Sequence, residues 1–108
     1  MKLIVAIVSR EDAQRVTRSL TKADFSVTKL ATTGGFLMSG NMTLMTGVED
    51  DQVDEAINII RETSKSRTQA MPSVTESSRV GILNAPLMEV TVGGATIFVL
   101  PVDRFEKI

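Results

Sequence analysis

Residues Leu3–Val8 form one continuous aliphatic and β-branched run, the pattern of a strand buried on both faces. The period then changes. Ala13, Val16, Leu20 and Ala23 recur at helical spacing and predict a helix over residues 10–23. Ser9 stands where an N-cap is needed, with Asp12 three residues on as a capping-box variant. Arg15, Arg18 and Lys22 lie toward the far end, where the helix dipole favours cations. A second strand is read at Phe25–Thr32, broken by Thr33-Gly34-Gly35, and a third at Asn41–Val48. Asp50 and Asp51 then start a second helix, with Val53, Ala56, Ile57 and Ile60 on one stripe.

The order so far is βαβ followed by βα. One more strand would complete a duplicated split βαβ unit, so the expected class is α+β with a ferredoxin-like βαββαβ core. That strand is delayed. Residues 64–86 hold five Ser, two Thr and two Pro with no periodic pattern, and are read as a long flexible loop. A tolerated surface excursion is the plain alternative. Leu87–Val92 and Ala95–Leu100 flank Gly93-Gly94, which predicts a hairpin because primed turns need positive φ. The hairpin adds an extra C-terminal strand to one domain spanning residues 1–108. Ile97-Phe98-Val99-Leu100 is apolar on both strand faces, more than one helix layer covers, so its outer face is expected between subunits.

Composition narrows the chemistry. The chain has 108 residues, 12 Lys and Arg against 13 Asp and Glu, and no His, Cys, Trp or Tyr. Thiolate nucleophiles, Cys/His metal sites and Ser-His-Asp arrangements are therefore excluded. A formal charge of -1 leaves no electrostatic footprint for a nucleic-acid polymer. The first apolar run is too short for a secretory segment, and none approaches the roughly 20 residues that span a bilayer. A cytoplasmic protein without membrane insertion is the expectation. No phosphate-loop pattern occurs, and no carboxylate pair sits in an apolar setting. The residues point to a binder rather than an enzyme, with no metal and no cofactor.

Phe25–Val48 is the unusual stretch: Lys29 is its only charge among five Thr, four Gly, two Ser and one Asn. If residues 41–48 are extended, Met42, Leu44, Thr46 and Val48 share the helix-covered face. Asn41, Thr43, Met45 and Gly47 then form a mixed opposite face. Ser26, Thr28, Leu30 and Thr32 make a similar face on the preceding strand. Such faces suit a ligand or a subunit contact. Each residue also has a plain reading: Gly34-Gly35 as a turn, Asn41 as a turn residue, and Met38, Met42 and Met45 as adaptable packing.

The block Thr28-Lys29-Leu30-Ala31-Thr32-Thr33-Gly34-Gly35-Phe36-Leu37, with Gly40-Asn41 and Gly47-Val48, resembles the PII-like cyclic di-AMP receptor family of the PstA type. Val92-Gly93-Gly94-Ala95-Thr96 and Phe98-Val99-Leu100-Pro101-Val102-Asp103 match that family's C-terminal signature. The resemblance covers essentially the whole chain. It implies a non-catalytic homotrimer that binds cyclic di-AMP in clefts between subunits and signals through mobile loops to a protein partner of unknown identity. Carried over, Thr28 is a phosphate-contacting hydroxyl. Gly35, Phe36 and Leu37 supply backbone donors and an adenine-packing surface. Asn41 and Gly47 contact the adenine edge, and Phe98 closes the pocket. An Asn amide matches the donor-acceptor edge of adenine, and aromatic packing on a base is worth about 1–3 kcal/mol.

Asp24 and Ser26 also fall at the ligand, where the family usually carries an amide and an arginine, and Met38 replaces a basic or other polar residue. Losing an arginine at a phosphate removes a bond worth about 1.5–3 kcal/mol. These departures motivate the alternative, a PII-like trimeric interaction module that binds another nucleotide such as ATP, or no ligand.

Overall fold

A computed structural model of the chain describes residues 1–30, 40–72 and 87–108. The elements run β1 (Lys2–Ser9), α1 (Arg10–Lys22), β2 (Thr28–Leu30), β3 (Asn41–Val48) and α2 (Val53–Thr63). The order ends with β4 (Arg67–Pro72), β5 (Leu87–Val92) and β6 (Ala95–Pro101). Four strands make one antiparallel sheet in the order β2-β3-β1-β6, while β4 and β5 pair antiparallel in a second sheet. Leaving out β4 and β5, the order is the ferredoxin-like βαββαβ of an α+β protein, as the periodicity predicted.

Strand alternation sorts the large sheet into two faces. Ile4, Ala6 and Val8 of β1 and Leu44 and Val48 of β3 are buried with Ala13, Val16 and Leu20 of α1 and Ala56 and Ile60 of α2. Thr46 is buried on the same face and Met42 packs against it, so the predicted core face of β3 is correct. Thr46 Oγ1 has no hydrogen-bond partner there. Both helices cover this one face. The other carries Leu3, Val5, Ile7 and Met45, half-buried, with Phe98 and Leu100 about half exposed.

The helix ends follow local chemistry. Asp24 N–H bonds Thr21 O and Phe25 N–H bonds Leu20 O, both at 3.0 Å, closing α1 in a Schellman turn with Asp24 at φ 69°. Phe25 is buried as the apolar residue of that cap. This explains a difference from the sequence reading: β2 starts at Thr28, not Phe25. At the start of α2, Glu49 and Gln52 form a reciprocal capping box around a single 3₁₀ turn, Asp50–Gln52.

Two further expectations change. Gly93 and Gly94 do have positive φ, 81° and 83°, yet they join strands of different sheets. The extra strand β5 is present, but its partner is β4 rather than β6. The stretch read as a loop over 64–86 thus contains a strand at Arg67–Pro72, and residues 73–86 lie outside the described ones. Among the described residues, no helix is long and apolar enough to cross a membrane.

Candidate ligand-binding site

Thr28 lies opposite Met45, so it sits diagonally from Gly47 on the open sheet face. Both are exposed, and a side-chain carbon added at Gly47 would meet nothing within 4 Å. Ser26 is exposed in the turn before β2. Asp24 is exposed too, and its left-handed backbone gives it a structural role: Asn, Asp and Gly tolerate that conformation best. An amide or acid there satisfies the cap whether or not it meets a ligand.

The remaining predicted residues lie elsewhere. Asn41 is six positions from Gly47 on one extended strand, about 20 Å away at the usual rise. It separates two hollows. One, of about 600 Å³, is lined by Ser9, Arg10, Gly40, Asn41, Thr91 and Gly93 among others. The other, about 250 Å³, lies against Ile7, Asn41, Gly94 and Thr96. Phe98 is half exposed on β6 and shares one lateral row with Val5, Met45 and Thr28. Three strand spacings, about 14 Å, put Thr28 and Phe98 on opposite edges of the sheet. Gly35, Phe36, Leu37 and Met38 lie outside the described residues. One chain therefore brings Thr28 and Gly47 together, and keeps Asn41 and Phe98 apart from them.

The structure adds a polar hub beside the larger hollow. Asp12 is fully buried and receives bonds from Arg15 Nη2 at 2.6 Å and Arg67 Nη2 at 3.0 Å, with Ser9 Oγ at 3.2 Å. Burial acts to raise the Asp12 pKa, yet the bonds and charge of Arg67, with Ser9 and Arg15, outweigh it. The carboxyl is held below the usual aspartate range. Arg67 Nη2 also meets Glu11 Oε1 at 3.2 Å, and Arg15 Nε donates to Thr63 O at 3.1 Å. Gly93 is required here twice over. Besides its positive φ, a side-chain carbon would lie 2.7 Å from both Arg67 Nη1 and Lys65 O. Gly94 N–H bonds Ser64 O.

The hub corrects two readings. Ser9 makes no capping bond to the backbone, because its hydroxyl goes to Asp12, and Arg15, read with the cations of the helix's far end, instead serves Asp12 near its start. A signal was present: Asp12, Val16 and Leu20 share the four-residue spacing of the buried stripe. Among the described residues, no three acidic side chains are grouped to hold a metal ion.

A family model described as cyclic-di-AMP receptor matches residues 1–108, the whole chain. The chain belongs to this family, whose members are ligand receptors and not a known class of enzyme. It is also similar to a crystal structure of a functionally unknown protein from Pediococcus pentosaceus ATCC 25745. That likeness has 41% identity and a TM-score of 0.75, over 99% of this chain and 96% of that one.

Proposed function

We propose that this chain is a cytoplasmic signalling receptor whose homotrimer binds cyclic di-AMP in clefts between copies. Ligand state then passes through the loops beside each cleft to a protein partner. The observation that carries this reading is the division of the family's contact residues between two sheet edges. Thr28 and Gly47 lie toward the β2 edge and Phe98 lies on β6, so one chain presents two halves of a site at opposite edges of one sheet face. A cyclic assembly, in which the β6 edge of one copy meets the β2 edge of the next, joins the halves. Burying Leu3, Val5, Ile7, Met45 and Leu100 at its centre gives that assembly its apolar drive.

In this cleft the Thr28 hydroxyl meets a phosphate, Gly47 lets a base approach the backbone, and Phe98 of the neighbouring copy packs on it. Gly35, Phe36 and Leu37 add backbone donors and apolar contact in the same reading. Asn41 reads an adenine edge at the hollow beside α1.

Light scattering and calorimetry test the proposal together. A trimer that takes up cyclic di-AMP, with weaker binding by Thr28→Ala, is the expected outcome. A monomer at micromolar concentration overturns the shared site. Exposed Ser26 and Asp24, where an arginine and an amide are usual, favour the second reading. A thermal shift with ATP and none with cyclic di-AMP would establish that one instead.

A further inference from the structure

Three cations and two carboxylates gather where α1 begins: Arg10, Arg15 and Arg67 with Glu11 and Asp12. Both carboxylates are engaged, Asp12 by Arg15 and Arg67, and Glu11 by Arg67. Arg10 is exposed, and among the described residues its guanidinium has no hydrogen bond or ion pair. The cluster thus keeps one net positive charge, carried by the side chain that lines the 600 Å³ hollow with Asn41.

The position gains nothing for a cation from the helix itself. Arg10 occupies the first position of α1, where the positive end of the helix dipole disfavours a cation. Its backbone N–H is already committed to Gly40 O at 2.6 Å, which ties α1 to the entry of β3. Its side chain is left for something else. Gly40 and Gly93 keep the walls low, and at Gly40 an added carbon would meet nothing within 4 Å. An anionic group can therefore come close to the backbone on the Arg10 side of Asn41. Glu11 lines the same hollow but is held by Arg67, which offsets its repulsion.

We infer that Arg10 is a phosphate-binding residue of this receptor, taking a phosphate of the cyclic dinucleotide whose base lies at Asn41. The inference rests on the receptor reading above and places a cation at the Asn41 end of the site. A guanidinium offers a phosphate two parallel N–H donors, whereas Lys offers a point charge.

The experiment is calorimetric titration of cyclic di-AMP into the full chain, Arg10→Ala and Arg10→Lys, with thermal unfolding of each without ligand. Arg10→Ala is expected to raise Kd about 10- to 100-fold, with Arg10→Lys in between. Its ligand-free Tm should be unchanged or higher, because a cation has left the helix start. Equal affinity for Arg10→Ala and the parent overturns the role of Arg10 and leaves the receptor reading standing. A lowered ligand-free Tm, with affinity lost equally in Arg10→Lys, assigns Arg10 to the fold and also overturns it. No heat from the parent chain itself removes the receptor reading and this inference together.

Discussion

The two sheets of this molecule are held by different physics. The large sheet runs through long antiparallel registers, and its covered face is filled by apolar side chains from both helices. The β4–β5 pair packs mainly strand on strand. Among the described side chains its attachment is polar and local: Arg67 on Asp12 and Glu11, Gly93 against that guanidinium, and Gly94 on Ser64. Apolar burial is non-directional and distributed over many residues. An ion pair with a glycine fitted beneath it depends on a few atoms. A single substitution can therefore loosen the second sheet in a way that it cannot loosen the first, and Asn41 stands at the junction of the two.

Breaking the first sheet should take the largest effect. Leu44→Ala removes a core side chain of the central strands and is expected to cost about 2–5 kcal/mol in urea unfolding, with both sheets lost together. Asp12→Ala strikes the junction. Stranding the partners of a buried carboxylate costs about 3–5 kcal/mol; here roughly 2–4 is expected, since both arginines reach water. Hydrogen exchange should rise first at the β4–β5 pair.

The same carboxyl gives a pH test. Its folded pKa is lowered, so its contribution is complete above the ordinary aspartate value and is lost as pH falls through the lowered folded value. Asp12→Asn should flatten that acid limb in unfolding free energy measured against pH.

Smaller changes sharpen the contrast. Gly93→Ala combines positive φ with a clash against Arg67 and Lys65 O, and should cost about 1–3 kcal/mol by thermal unfolding. Thr46→Val works on the packed sheet in the other direction. Removing its unpartnered hydroxyl should raise stability by about 1 kcal/mol without altering exchange in β4–β5. Gly47→Ala, in open space on a strand, should stabilise the free chain by roughly 0.5 kcal/mol while weakening cyclic di-AMP binding.

Local pattern made the large sheet legible. The strand Asn41–Val48 was read to the residue, because alternation marks its covered face and Glu49-Asp50-Asp51 marks its end. Phe25 misled because a Schellman turn buries it as effectively as a strand would. Gly93-Gly94 announced positive φ correctly, but dihedral preference does not say which strand a chain pairs with next. At the site, the residue types of Thr28, Asn41, Gly47 and Phe98 were visible as a neutral, mixed patch and a family motif. Their separation was not, since it follows from strand order and register. Asp12 was hidden behind its second possible use, as a helix cap, and Arg67 lay in a stretch with no periodic pattern.

The claim that the site is shared between copies is tested most directly by complementation. Thr28→Ala and Phe98→Ala are each expected to bind cyclic di-AMP weakly alone. Refolded together at equal concentration, they should regain parent-like affinity in about a quarter of the clefts, those with Thr28 from one copy and Phe98 from its neighbour. Calorimetry that shows no tight sites in the mixture, while the parent trimer binds, would contradict the shared cleft.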